Sequence, residues 1–99
     1  MATPPFLTLG IGSRMMAMRI SDIENGMRNV CLEGKIVNMN GYMLVVDDES
    51  GRIFVRYSRR NLESQIEKGN IVKICNCRAV SFSGILQLRM SHKGHIALR

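Results

Sequence analysis

The stretch NCRAVSFSGILQLR, residues 76–89, sets the topology of this 99-residue chain. A polar run leads through a lone aromatic, Phe82, into a Ser-Gly pair, and an alternating strand follows. In that strand Leu86 and Leu88 point to one side of the sheet, while Arg89 points to the other. The pattern predicts a two-faced hairpin with an aromatic at its tip and arginines on both flanks. Such an open surface suits a flat, anionic molecule.

Composition and charge support a small folded domain with an anionic partner. The hydrophobic fraction of 45% is ordinary for a globular protein, and the length is that of one domain. Fourteen basic side chains against eight acidic ones give a net charge of +6. A basic balance on so small a domain favours a polyanion, although it is also compatible with a merely soluble basic protein. No apolar run reaches the length of about 18 residues that a membrane span requires, so no membrane association is expected.

The N-terminal segment differs from the rest of the chain. It carries two prolines and no charge before Arg14, and it lacks the basic start of a secretory signal. We expect residues 1–19 to form a flexible arm and residues 20–99 to form the folded domain. Methionines at positions 15, 16 and 18 leave open the alternative that translation starts there.

The first half of the domain predicts a short helical turn and two strands. Ser21 to Glu24 has capping-box spacing and Asn25-Gly26 can end a helix, which together favour one short helical turn that starts at Ser21. A strand at residues 30–37 places Gly34 on its inner side, where the missing side chain allows a long strand to bend. A second strand at residues 42–47 leads into a tight hairpin, in which we expect Gly51 to take the positive φ.

The third strand, residues 52–57, has its register set by Arg56, because an arginine is very costly in a core. Ile53 and Val55 therefore face inward, together with Tyr57, while Phe54 and Arg56 face outward. An exposed phenylalanine beside an arginine on a strand suits a binding surface. The alternative is that Phe54 is covered by a loop or by the N-terminal arm.

The second half of the chain predicts a helix and two strands. Leu62 and Ile66 share a helical face in residues 59–68, and a glycine follows. The fourth strand, residues 70–78, exposes Lys73. Simple alternation would turn Arg78 inward, so we expect a bulge near Asn76. The last strand covers residues 85–90.

Three strands, one helix and two strands, with a bent first strand, predict an all-β fold. The expected architecture is a five-stranded Greek-key barrel of the OB-fold type, with one short helix between strands 3 and 4. Three segments also carry a family resemblance: ISDIENGM at 20–27, DDESGRI at 47–53 and CRAVSFSGILQL at 77–88. In that order and spacing they resemble single-stranded DNA-binding domains of the replication protein A type. The short archaeal versions and the small eukaryotic single-stranded DNA sensor subunits are the most similar.

The resemblance implies that the domain binds single-stranded DNA with little sequence preference, in replication, recombination or repair. It implies no cofactor. The residues that it places on the nucleic acid are aromatic or basic: Phe54, Arg56, Phe82, Arg78, Arg89 and Lys35, to which the exposed Lys73 is added. Because the chain has no tryptophan and only 5% aromatic residues, we expect modest affinity per domain, with arginines stacking or pairing with phosphates.

Two chemical alternatives can be weighed from the residues. Asp47, Asp48 and Glu49 could form a metal-binding carboxylate cluster for phosphodiester cleavage, but successive acids beside Ser-Gly are more typical of a hairpin turn. Because the sequence shows no recognisable nucleophile–base arrangement, we expect no enzymatic activity.

The second alternative is a zinc site formed by cysteines and histidines. The possible ligands are Cys75, Cys77, His92 and His95, but their C-x-C and H-x-x-H spacing matches no strong structural zinc pattern. We expect no metal. Three cysteines, counting Cys31, argue against a stapled secreted scaffold, so reduced, partly buried thiols are expected.

The remaining alternative is an RNA-binding or protein-interaction barrel of a replication or repair assembly. The outward apolar residues Met43, Val45 and Ile85 could meet a protein partner. Since one barrel covers only a few nucleotides, a homo-oligomer or a partner subunit is compatible with the sequence. The expected location is the nucleoid-containing cytoplasm of a prokaryote or the nucleus of a eukaryote.

Overall fold

The computed structural model describes residues 18–99, which form a closed five-stranded barrel. The strands are β1 (Val30–Met39), β2 (Met43–Asp47), β3 (Arg52–Arg56), β4 (Ile71–Phe82) and β5 (Ile85–Leu98). Around the barrel they follow the order β1-β2-β3-β5-β4, with β3 and β5 parallel and the other neighbours antiparallel. This confirms the predicted OB-type barrel. Residues 1–17 lie outside the described residues. They include most of the predicted arm, residues 1–19, and the alternative start sites Met15 and Met16.

The core confirms the inward side predicted for β1. Its buried residues alternate along the strand, and Gly34 lies among them on the inner side. A Cβ atom at Gly34 would lie 2.7 Å from Val46 Cγ1 and 2.8 Å from the Asp47 carbonyl oxygen. Only glycine therefore lets β2 cross so close to the bend of β1. The rest of the core is aliphatic, with Leu32, Ile36, Leu44, Ile74, Leu88 and Ile96 fully buried.

The hairpin between β2 and β3 is built differently from the expected glycine turn. The positive φ falls on Glu49, at 78°, and not on Gly51. Asp47 Oδ1 accepts a hydrogen bond from the Glu49 amide at 2.7 Å, so the aspartate side chain shapes the turn. The short 3₁₀ turn at Ile20–Asp22 also depends on this hairpin, because Asp48 Oδ2 accepts the Ile20 amide at 2.8 Å. That contact replaces the predicted Ser21–Glu24 capping box.

The helix predicted over residues 59–68 is a single 3₁₀ turn, Arg59–Asn61. The Asn61 side chain accepts the Ser58 amide, and the chain then leaves the helical path. Leu62 forms a β-bridge to Ile96, whose carbonyl oxygen accepts the Glu63 amide at 3.0 Å. Since a helix this short has little stability of its own, pairing with β5 prevails over the helical pattern.

The bulge predicted near Asn76 is confirmed. The β4–β5 register shifts between Cys75 and Cys77, and Asn76 has a φ of 62°. Cys77 and Ala79 are then buried while Arg78 is exposed, as its predicted role requires. The extra residue in β4 thus reverses which face of the sheet each later residue of the strand points to.

Strand β5 is longer than predicted, since it runs to Leu98 instead of ending at Met90. Its second half pairs with the beginning of β4, from Cys75 opposite His95 to Val72 opposite Leu98. In the sequence, the polar run at residues 91–93 hides the continuation of the strand into this half.

The cysteines differ from expectation. Cys31 and Cys75 lie on adjacent strands on the outer side of the barrel, and the structure joins them in a disulfide, so the prediction of three reduced thiols is wrong. Cys77 is a free, buried thiol whose pKa is raised to about 12 by burial. The residues considered as zinc ligands therefore do not come together in a site, and residues 18–99 contain no cluster of three potential metal ligands. The described part of the chain also contains no helix long and apolar enough to cross a membrane.

Candidate nucleic-acid interface

Three arginines lie side by side on the outer face of the barrel. Arg56 on β3 pairs in register with Arg89 on β5, and Arg89 pairs in register with Arg78 on β4. Residues in register share a face of the sheet, and all three side chains are exposed. We call Arg56, Arg89 and Arg78 the arginine row. The sequence predicted each arginine separately, and the register shows that they are consecutive.

A less polar row runs beside the arginine row. It consists of Val45 on β2, Phe54 on β3, Gln87 on β5 and Val80 on β4. Phe54 faces outward as predicted and is 39% exposed, so residues 18–99 cover it only in part; the alternative of cover by the N-terminal arm lies outside the described residues. The face therefore offers an aromatic surface one row away from three positive charges.

The β4–β5 hairpin places a second aromatic at the end of this face. Ser83 and Gly84 have φ values of 53° and 79°, the pair of positive angles of a type I′ two-residue turn. The predicted Ser-Gly turn is thereby confirmed. Phe82 and Ile85 are directly opposite each other across the turn, with 70% and 52% of their surface exposed. Phe82 is the most exposed large apolar side chain in the described chain.

Within residues 18–99, no acidic side chain forms an ion pair with the arginine row. The ion pairs among residues 18–99 join Arg52 to Asp47, Arg99 to Glu33 and His95 to Glu63, and none includes a member of the row. Neighbouring strands are only about 5 Å apart, and like charges opposite each other destabilise a sheet. An unpaired row of this kind favours an anionic partner.

Two grooves meet at the row. One, of about 420 Å³, is lined by Met43, Arg56, Val80, Ser81, Phe82, Gln87 and Arg89. The other, of about 330 Å³, is lined by Tyr42, Arg56, Tyr57, Ser58, Asn61, Arg89 and Met90. Because both include Arg56 and Arg89, the two grooves adjoin at these arginines, and we call them together the depression. Phe82 lines one groove, and Tyr42 and Tyr57 line the other.

Tyr42 is a site residue that the sequence analysis missed. It is 59% exposed and lies in the turn before β2, where Asn40 Oδ1 accepts its amide at 3.0 Å and the Met43 amide at 2.9 Å. The Tyr57 hydroxyl donates to the Asn40 carbonyl oxygen at 2.7 Å, and burial raises the pKa of Tyr57. The sequence signal for Tyr42 was its position directly after an Asn-Gly pair, which indicates an aromatic side chain in a turn.

Asn61 fixes the wall of the groove next to Tyr42. It is the one buried polar residue of the described chain. Its Nδ2 donates to the carbonyl oxygens of Ser91 at 3.0 Å and Gly94 at 2.9 Å, while its Oδ1 accepts the Ser58 amide at 2.8 Å. The segment after β3 is thereby held against β5.

The two predicted lysines lie away from this face. Lys35 is opposite Asp47 on β2, and Lys73 is opposite Glu33 on β1. Lys35 lines a separate groove that also contains Asp47 and Glu33. The structure therefore brings together the predicted phenylalanines and arginines but not the lysines, whose role stays a prediction.

The carboxylates at positions 47–49 are engaged in the turn. A hydrogen bond from Arg52 lowers the pKa of Asp47. Burial opposes ionisation of Asp48, but hydrogen bonds from the Ser50 hydroxyl and from the Ile20 and Ser50 amides outweigh it and lower its pKa. These contacts show that Asp47 and Asp48 stabilise the turn.

Comparison with solved structures confirms the OB fold. The chain is similar to the OB domain of Ta0387 from Thermoplasma acidophilum (TM-score 0.66, 20% identity, 84% of this chain and 86% of that one). It is also similar to the replication factor A related protein from Methanobacterium thermoautotrophicum (TM-score 0.73, 12% identity, 90% and 96%). A third similar structure is p202 HIN1 in complex with a 12-mer double-stranded DNA (TM-score 0.68, 15% identity), of which this chain spans 47%. No family model and no curated protein sequence matches the chain.

Proposed function

We propose that this protein binds single-stranded nucleic acid, DNA above all, across the outer face of β2, β3, β5 and β4. The observation that carries the proposal is the arginine row, which has no acidic partner among residues 18–99 and lies between exposed aromatics. The likeness to a replication factor A related protein and to a DNA-bound HIN domain supports it.

The chemistry of the face favours stacking and phosphate contacts over base reading. Stacking of a base on an aromatic contributes about 1–3 kcal/mol and tolerates every base. Phe82 lines one groove of the depression and Tyr42 lines the other, with Phe54 beside the row, so three stacking platforms replace the two that the sequence predicted. Gln87 is the one amide in the groove beside Phe82, which leaves little basis for sequence preference.

The proposed role is binding without catalysis, in replication, recombination or repair, in the compartment that holds the DNA. The turn contacts of Asp47 and Asp48 support the absence of a nuclease centre. A magnesium-dependent nuclease assay on labelled single strands tests this part, and cleavage would contradict it.

Competition binding tests the preferred ligand. A labelled oligothymidine is displaced by unlabelled single-stranded DNA, duplex DNA and RNA at moderate salt. We expect single-stranded DNA to compete best. Equal competition by duplex DNA would indicate nonspecific charge attraction, and better competition by RNA would reassign the ligand.

Aromatic variants test the stacking platforms. Phe54→Ala and Phe82→Ala should each weaken binding by about 1–3 kcal/mol without unfolding the domain. Ile71→Ala is the matched control, because Ile71 is 45% exposed but lines neither groove of the depression. A phenylalanine variant that binds as well as the control does not belong to the site.

A protein-interaction module is the second candidate. Ile85 is 52% exposed at the hairpin tip, and Met43 and Val45 lie partly exposed on β2. If no nucleic acid binds at moderate salt, these residues indicate a protein partner. Light scattering with and without oligonucleotide tests self-association.

A further inference from the structure

Beyond Arg78, the arginine row meets another groove at the start of β1. This groove has a volume of about 200 Å³ and is lined by Arg28, Asn29, Asn76, Cys77, Arg78 and Ser91. Val30 pairs in register with Cys77, so the residues before Val30 lie beside Arg78. The groove therefore continues the row around the barrel, away from the hairpin tip.

The lining of this groove suits a compact anion. Among residues 18–99, its lining consists of two guanidinium groups, two amides, a hydroxyl and a thiol, and it includes no carboxylate. Neither Arg28 nor Arg78 belongs to an ion pair within residues 18–99. Guanidinium pairs bind phosphate oxygens with strong, charge-assisted hydrogen bonds.

The backbone holds Arg28 next to Arg78. The Ala79 carbonyl oxygen accepts the Gly26 amide at 2.8 Å, and the Ala79 amide donates to the Met27 carbonyl oxygen at 2.8 Å. These two bonds dock the segment before Arg28 along β4, directly beside Arg78. The positive charges are thus brought together by the fold before any ligand is bound.

The floor of the groove is constrained from several directions. Asn29 and Asn76 both have left-handed backbones, with φ values of 55° and 62°, a conformation that asparagine adopts more readily than most residues. Asn76 follows the disulfide-bonded Cys75, and its Nδ2 donates to the Lys93 carbonyl oxygen at 3.2 Å. A Cβ atom at Gly94 would lie 3.2 Å from the Asn76 carbonyl oxygen, so the bulge packs tightly against β5.

We propose that this groove is a second phosphate site and that nucleic acid bound at the arginine row continues around the barrel into it. The inference rests on the proposed function, and it adds a path: from the Phe82 groove across the row to the beginning of β1. Arg78 belongs to both the row and the groove and therefore joins them.

The test compares oligonucleotide lengths. Arg28→Gln should leave the affinity for an oligothymidine of about 6 nucleotides unchanged and lower the affinity for one of about 15 nucleotides by roughly fivefold or more. It should also flatten the salt slope for the longer strand by about 0.7. Lys68→Gln is the control, because it removes one exposed positive charge that lines none of the grooves described above. Arg28→Gln behaving like Lys68→Gln at both lengths would overturn the proposal.

A second readout separates this proposal from the proposed function. In NMR titrations, the side-chain Nε–H signals of Arg28 and Arg56 report the groove and the row. We expect both to shift with the longer strand and only Arg56 to shift with the shorter one. If Arg56 shifts and Arg28 never does, the second site is refuted while binding at the row stands; if neither shifts, the proposed function fails.

The phosphate can come from within the strand or from its end. Short oligothymidines with and without a terminal phosphate distinguish the two sources. An Arg28-dependent gain from the terminal phosphate assigns the groove to strand ends, whereas dependence on length alone assigns it to the continuing backbone.

Discussion

Replacing the middle arginine of the row should stabilise the free protein and weaken its binding. Arg89 has an arginine neighbour in register on each side, while Arg56 and Arg78 each have one. For an assumed separation of about 7 Å between guanidinium groups, somewhat more than the Cβ spacing of residues in register, Coulomb's law in water gives about 0.6 kcal/mol of repulsion per pair. At 10 mM salt, where the Debye length is about 30 Å, about 0.5 kcal/mol of this remains.

Arg89→Gln should therefore raise the free energy of unfolding by about 1 kcal/mol at 10 mM salt, and Arg56→Gln and Arg78→Gln by about half as much. For a domain of this size, 1 kcal/mol corresponds to roughly 4–8 °C in Tm. Because all three variants carry the same substitution, the change in net charge of the unfolded chain is common to them. Urea denaturation at 10 mM and 500 mM salt measures the difference.

Salt provides the internal check, since the gain should fall to about 0.2 kcal/mol or less at 500 mM salt, where the Debye length is about 4 Å. Arg52→Gln is the control of opposite sign, because Arg52 donates to Asp47 at 2.8 Å and its loss removes an attraction. If Arg89→Gln gains no more than the two end variants at low salt, or if its gain does not depend on salt, the reasoning about the row is refuted.

Three further predictions concern the scaffold. Gly34→Ala should cost about 2–3 kcal/mol, because its Cβ would meet backbone, whereas Gly41→Ala, with nothing within 4 Å, should be nearly neutral; equal urea midpoints would contradict this. Asn61→Ala should cost about 2–4 kcal/mol through lost buried hydrogen bonds, and a change in Tm below 3 °C would be too small for that account. The thiol of Cys77, with a pKa near 12 against 9.0 when unfolded, should resist alkylation at pH 8 until the protein unfolds, and its contribution to stability should be lost as pH rises from 9 to 12; intact mass follows the labelling.

Alternation made most of the barrel predictable from the sequence. Arg56 fixed the register of β3. Simple alternation would have turned Arg78 inward, and this predicted the bulge at Asn76. In both cases the reason is that an arginine cannot be buried without great cost. The three-residue row could not be predicted, because Arg89 pairs with Arg78 through the β4–β5 hairpin but with Arg56 only through the β3–β5 pairing, which no local pattern encodes.

Three of the errors arise from side chains and pairings that distant elements supply. The helix over residues 59–68 was lost to the Leu62–Ile96 bridge, and the turn at Ile20 is capped by Asp48 from the β2–β3 hairpin. The Cys31–Cys75 bond requires the β1–β4 register. In each case tertiary contacts override a locally reasonable prediction.

The central claim, that the arginine row binds the phosphates of a single strand, is tested most directly by a salt titration. The affinity for a labelled oligothymidine is measured from about 20 to 300 mM salt for the parent and for the triple variant R56Q/R78Q/R89Q. With about 0.7 per phosphate contact, the slope of log affinity against log salt should fall in magnitude by about 2 in the variant. An unchanged slope would contradict the claim, as would a parent protein that binds no oligothymidine at low salt.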